Sequence, residues 1–92
     1  MRLLEQLGRK GTLRILWELR DGAPQSFRAL RASTGDMSPS VLNDRLKELR
    51  AGGIVTLDDA GYVLTASGIE LVKRLKPLNQ WADRWFEAPE QN

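Results

Sequence analysis

Cysteine and histidine are both missing from this 92-residue sequence. Without cysteine there can be no disulfide, thiolate zinc site, thiol redox sensor or cysteine nucleophile. Without histidine there is no imidazole to act as a general base. The carboxylates that remain form no pair that stands out as an acid–base couple. We therefore predict a protein that is not an enzyme and that uses neither a metal nor a cofactor.

Long hydrophobic runs are also lacking. No stretch approaches the roughly 18 apolar residues of a membrane-spanning helix. Arg2, Glu5, Arg9 and Lys10 interrupt the apolar segment that a signal peptide would need. We expect a cytoplasmic protein with no membrane partner. Its length is that of one domain, residues 1–92.

Positive charge is concentrated in the first half of the chain, and the second half has little of it. Residues 1–50 carry ten Lys/Arg and six Asp/Glu, a balance of +4, whereas residues 51–92 carry four and six, a balance of −2. The formal net charge is only +2, but the sequence pI of about 9.4 favours an anionic partner. The basic half is therefore where we expect the binding surface.

A helix over about residues 38–51 carries the clearest pattern in that half. Ser38 is a good N-cap and Pro39 suits the first helical position, while Gly52-Gly53 ends the segment. Leucines at positions 42, 46 and 49 define a buried face, so the polar residues point away from the core. Small polar side chains near the helix start suit the reading of base edges in a DNA major groove.

The candidate DNA contacts fall into two groups. The residues predicted to read bases are Ser40, Asn43 and Asp44. The residues predicted to contact phosphates are Arg28, Arg31, Ser38, Arg45, Lys47 and Arg50. For this segment alone, an ordinary solvated helix face with mixed charges is an equally good interpretation.

Two short β-rich runs follow the helix and predict a hairpin over about residues 54–64, with a turn at Asp58–Gly61. In a DNA-binding protein this hairpin would be a wing. Asp58 and Asp59 would repel a phosphate backbone, so we assign the wing no DNA contact. A cation site at this pair is an alternative, but hard cations need several more oxygen ligands, which favours a plain solvated turn.

Helical patterns fill most of the remaining chain. They lie at Arg2–Leu7, Gly11–Arg20, Phe27–Ser33 and after Thr65, with a break expected at Pro77 and a last helix over about 78–87. The predicted fold class is mostly α-helical with a small β-hairpin. The order of elements, two helices, a turn, a capped helix and then the hairpin, is that of a winged helix-turn-helix.

Four segments also resemble the HxlR-type transcriptional regulators, relatives of the MarR group. They are "GRKGTLRILWEL" (8–19), "SFRALR" (26–31), "MSPSVLNDRLKELRAGGIV" (37–55) and "YVLTASGIELVKRL" (62–75). The most specific element is "SPxVLxxRLxEL". The resemblance implies a dimeric DNA-binding repressor or activator, with Ser40, Asn43 and Asp44 at groove-facing positions. It also implies that Arg45 supports the helix and touches the DNA backbone. The cysteine that many relatives use as a sensor is absent here.

Apolar and aromatic residues at the two ends of the chain predict a homodimer. The last helix presents a broad apolar face, and the first helix is expected to contribute to the same interface. The predicted interface residues are Leu3, Leu4, Leu7, Leu78, Trp81, Trp85 and Phe86. A pocket for a planar effector is a less favoured interpretation of the tryptophans, and a small-molecule effector has no other support in the sequence.

The predicted function is sequence-specific binding of double-stranded DNA by a homodimeric transcriptional regulator, with helix 38–51 in the major groove. The alternative is a winged-helix module that has lost DNA binding and docks on another protein. Acidic residues at 44, 48, 58 and 59 favour that alternative, whereas the basic residues at 28, 31, 47 and 50 oppose it.

Overall fold

The computed structural model describes residues 2–35 and 37–87 of the chain. Within these ranges five helices and one hairpin follow in order, which confirms the predicted mostly α-helical class. The helices are α1 (Arg2–Leu7), α2 (Thr12–Glu18), α3 (Phe27–Thr34), α4 (Pro39–Ala51) and α5 (Ala66–Glu87), and the strands, between α4 and α5, are β1 (Val55–Asp58) and β2 (Gly61–Leu64).

Serine caps set where α3 and α4 begin. The Ser26 Oγ accepts a hydrogen bond from the Ala29 N–H at 3.0 Å, and the Ser38 Oγ accepts one from the Val41 N–H at 3.1 Å. Each cap satisfies one of the N–H groups that lack an intrahelical partner at a helix start. Pro39, at the first turn of α4, needs no such partner because it has no N–H. Helices α3 and α4 are thus separated by a short turn and start at defined residues.

The core lies where α2, α3 and α4 meet, closed by the hairpin and the first half of α5. It comprises Ile15, Leu16, Leu19, Leu30, Met37, Leu42, Leu46, Leu49, Val55, Leu64 and Val72. Every element from α2 to α5 contributes, so removal of any one would expose apolar surface from the others. The core therefore fixes α4 to the rest of the domain by its leucine face.

The hairpin pairs its strands in antiparallel register from Val55 opposite Leu64 to Asp58 opposite Gly61. The Asp58 Oδ1 accepts from the Ala60 N–H at 2.8 Å and the Gly61 N–H at 3.2 Å, which closes the turn. On the other edge, Gln25 exchanges two backbone hydrogen bonds with Tyr62, at 2.9 and 2.8 Å. The segment before α3 thereby holds the hairpin against the helices.

Helix α5 corrects one expectation. A break was predicted at Pro77, but a single 22-residue helix runs through it from Ala66 to Glu87. Proline removes the hydrogen bond to the carbonyl four residues earlier, which strongly destabilises a packed helix interior. Pro77 is exposed, so water can solvate the Lys73 carbonyl that it leaves without a partner. The apolar positions also continue in helical register on both sides of the proline.

An exposed ion pair supports the first half of α5. The Arg74 Nη1 donates to both carboxylate oxygens of Glu70 at 2.9 Å, and this hydrogen bond holds the pKa of Glu70 below its usual range.

No helix in the described part of the chain is long and apolar enough to cross a membrane.

Candidate nucleic-acid interface

The two faces of α4 are clearly divided. Leu42, Leu46 and Leu49 are buried, whereas Ser40 and Asp44 are exposed. Asn43 is half-buried on the flank of the exposed face. The leucines therefore attach the helix to the domain, and the small polar side chains of its first two turns are left facing outward.

The six phosphate candidates differ in how available they are. Arg28 and Arg31 on α3 and Lys47 and Arg50 on α4 are exposed, and none of the four forms an ion pair among the described residues. The Ser38 Oγ is occupied by its capping bond, although a hydroxyl can still donate. The structure thus places four unpaired cations on the two helices of the helix-turn-helix.

Arg45 is the least available candidate. Its side chain is only 14% exposed, and its Nε lies 3.1 Å from the Glu48 Oε1. The N–H points off the line to that oxygen, so the contact is one of charge rather than an aligned hydrogen bond. Arg45 is therefore held along α4, in keeping with a supporting role for the helix.

Glu48 also ties α1 to α4, a connection that sequence reasoning missed. The Gln6 Nε2 donates to the Glu48 carbonyl at 3.1 Å, and the Arg9 Nη1 lies 3.6 Å from the Glu48 Oε2. The spacing of Arg45 and Glu48 along one helix could have revealed their pairing. The contacts from Gln6 and Arg9 had no such signal, because the partners are about 40 positions apart.

The wing tip is acidic, as the sequence indicates. Asp58 is engaged in its own turn, and Asp59 is exposed beside it. In the described part of the chain no three His, Cys, Asp or Glu side chains come together as a metal site. The tip thus presents carboxylates to solvent and no cation that could meet a phosphate.

The predicted dimer residues are mostly at the surface. Leu4 and Leu78 are exposed, and so are Trp81 (51%) and Trp85 (59%), whose rings stack with centroids 6.0 Å apart and planes 13° from parallel. Leu7 is half-buried and packs against the core. The side chains of Leu3 and Phe86 lie outside the described residues. An apolar groove of about 320 Å³ between α2 and α5 adjoins this surface.

Three helices, the last two joined by a short turn, followed directly by a two-stranded hairpin, define a winged helix-turn-helix protein. Residues 6–90 match the family profile described as HxlR-like helix-turn-helix. The chain therefore belongs to the HxlR family of transcriptional regulators, which confirms the resemblance found in the sequence.

Relatives and solved structures agree with that assignment. The HTH-type transcriptional regulator MJ0925 of Methanocaldococcus jannaschii is 29% identical over 92 residues, covering 96% of this chain and 86% of the relative. A quinone-bound structure of YodB from Bacillus subtilis superposes with a TM-score of 0.83 at 30% identity, covering 90% and 93% of the two chains. A possible HxlR family transcriptional factor from Thermoplasma volcanium gives 0.82 at 31%, covering 90% and 80%.

Proposed function

We propose that this regulator binds double-stranded DNA as a homodimer and places the N-terminal half of α4 in the major groove. The observation that carries the proposal is that α4 has one buried and one exposed face. Its leucines are buried, whereas Ser40 and Asp44 face outward with Asn43 beside them. A helix presented in this way can enter a groove without disturbing the core. Short side chains at its start allow the backbone to approach base edges closely.

The exposed cations support the same orientation. Arg28 and Arg31 precede the turn, and Lys47 and Arg50 lie towards the end of α4, so positive charge flanks the proposed reading surface on both sides. Phosphate contacts fix position and affinity, whereas contacts to bases provide specificity. Among the base-reading candidates, Asn43 can donate and accept, while Asp44 can only accept and suits a cytosine amino group.

The apolar surface of α5 supports the dimer. Leu78, Trp81 and Trp85 follow one another at helical spacing and are exposed in the single chain. An exposed apolar surface of this kind is typical of a protein–protein interface. A two-fold dimer through α5, with α1 contributing, would place the two copies of α4, the recognition helices, about 34 Å apart. That distance equals one turn of DNA.

The YodB relative has been crystallised with a quinone bound. Thiols are the side chains that quinones modify most readily, and this chain contains none. Any signal that this regulator receives must therefore act through chemistry other than thiol modification.

Selection from a randomised duplex pool tests the function, followed by titration of the enriched sequence at several salt concentrations. A two-fold symmetric motif with half-sites one turn apart, and affinity that falls steeply with salt, is the expected result. If no sequence is enriched and no salt-sensitive binding to duplex DNA is found, the proposal of DNA binding is overturned. That outcome would favour the protein-docking module, for which the exposed Asp44 and Asp59 would be the first contacts to examine.

A further inference from the structure

A hollow of about 270 Å³ lies beside the turn between α3 and α4. Its lining residues are Lys10, Gly11, Arg14, Thr34 and Met37. Thr34 is the last residue of α3, and Met37 directly precedes the Ser38 cap of α4. The other wall belongs to the start of α2. The hollow therefore opens next to the N-terminal end of the helix that we place in the groove.

Arg14 is held in place in this hollow. Its Nη2 donates to the Ser33 carbonyl at 2.8 Å, and its Nε lies 3.0 Å from the Glu18 Oε2. These contacts fix the guanidinium against the last turn of α3 and use only part of its five N–H donors. Glu18 offsets part of the charge, but the donors of Nη1 have no partner among the described residues.

Lys10 adds a positive charge that no neighbouring carboxylate in the described ranges offsets. Its side chain is exposed, and no carboxylate of the described residues lies within ion-pair distance of it. A lysine and an arginine four positions apart on the same wall of a small hollow can hold one anion between them. A phosphodiester group has the charge and the acceptor oxygens for both.

The backbone that carries Lys10 is fixed to the turn. Gly11 has φ of 92°, a region that side-chain-bearing residues rarely adopt, and a Cβ built on it would lie 2.6 Å from the Met37 Cε. The close contact of Gly11 with Met37 keeps Lys10 beside the start of α4. A phosphate bound here would therefore stand at a defined place relative to Ser40 and Asn43.

We propose that Lys10 and Arg14 bind a backbone phosphate of the DNA strand that passes the N-terminal end of α4. A helix that enters the major groove by its N-terminal end has the groove's flanking strand beside the turn that precedes it. The inference rests on the proposed function, and it adds a contact from Arg14 on α2 and from Lys10 just before α2 to those expected on α3 and α4. It makes α2 part of the DNA-binding surface as well as of the core.

Salt-dependent titration of Lys10→Gln on the selected duplex and on a random duplex tests this site. Each phosphate contact contributes about 0.9 to the slope of log affinity against log salt, so the slope should become shallower by about that amount. At 0.1 M salt this corresponds to binding weakened roughly fivefold to tenfold, equally on both duplexes. Lys10→Arg should retain the wild-type slope. Lys73→Gln, an exposed lysine on the first half of α5, is the matched control and should leave the slope unchanged.

A duplex with one methylphosphonate at a time locates the contact. Neutralising the proposed phosphate should weaken the wild type more than it weakens Lys10→Gln, which retains only the Arg14 contact. If the wild type binds with normal salt dependence but Lys10→Gln behaves like Lys73→Gln, the site on α2 is wrong and the proposed function stands. If the wild type binds no duplex at all, the proposed function itself is wrong. The Lys10 side chain is exposed and forms no ion pair among the described residues, so its replacement should leave folding intact.

Discussion

Asn43 differs from the other polar residues of α4 in carrying both a hydrogen-bond donor and an acceptor on one short side chain. It lies on the flank of the exposed face, half-buried, and its amide has no partner among the described residues. An amide with neither group satisfied is suited to bidentate contact with an adenine edge. Arg31, on the preceding helix, is an exposed cation and can provide only charge and donors.

Asn43→Ala should therefore reduce sequence preference more than overall affinity, by about 1–3 kcal/mol of discrimination between the selected and random duplexes. Arg31→Ala should weaken binding to all duplexes alike and make the salt slope shallower by about 1. Parallel titrations of the two variants on both duplexes provide the measurement. Equal behaviour of the two variants on both duplexes would contradict this division of roles.

The burial and pairing of a residue could be predicted from the sequence where they depend only on its spacing within one helix. The burial of Leu42, Leu46 and Leu49 followed from helical periodicity. The hollow at Lys10 did not, because it depends on contact of Gly11 with Met37, 26 positions further along the chain. The low availability of Arg45, by contrast, could have been found from spacing, because its partner Glu48 lies three positions further along the same helix and holds the guanidinium there rather than in solvent.

At the scale of elements, apolar spacing predicted α1, and cap and turn residues predicted α4 and the hairpin. The continuity of α5 was not predictable, because the effect of a proline depends on whether the carbonyl it leaves without a partner faces water. The start of α5 depends on Thr65, whose Oγ1 donates to the Gly53 carbonyl at 2.6 Å and accepts from the Gly68 N–H at 3.1 Å. These bonds join the start of α5 to the segment that leads into the wing.

Gly68 allows that junction to close. A Cβ at this position would overlap the Ile54 carbonyl oxygen, a backbone atom that cannot rotate away. Gly68→Ala should therefore destabilise the domain by about 1–3 kcal/mol, despite the better helix propensity of alanine. Urea denaturation followed by circular dichroism gives the free energy of unfolding. Ser67→Ala, at an exposed neighbouring position, should change it by no more than about 0.5 kcal/mol, and an equal loss in both variants would refute the steric explanation.

At the scale of the whole molecule, α1 connects the proposed dimer surface to the recognition helix. Leu4 is exposed on α1, while Gln6 on the same helix and Arg9 just beyond it contact Glu48 of α4. Any contact that positions α1 against a second chain would therefore also position α4. The distance between two recognition helices in a dimer would thus be set by packed elements rather than by a linker.

The double variant Trp81→Ala/Trp85→Ala should shift the protein from dimer to monomer, because it removes the two largest exposed apolar side chains of α5. Sedimentation equilibrium at several concentrations measures the change. Leu57→Ala, which removes an exposed apolar side chain from the wing, is the control and should remain dimeric. A double variant that stayed dimeric would show that the interface lies elsewhere.

Half-site spacing tests whether the dimer is a rigid two-fold unit on DNA. Two recognition helices about one turn apart read half-sites about 10 base pairs apart on the same side of the duplex. Inserting about five base pairs rotates one half-site to the opposite side, so the wild type should lose the affinity gained from its second helix. The Trp81→Ala/Trp85→Ala variant, which binds each half-site separately, should be indifferent to the insertion. Wild-type binding that tolerated the insertion would mean that the two copies of α4 are not held at a fixed separation. The contacts that join α1 to Glu48 of α4 would then have no role in the choice of operator.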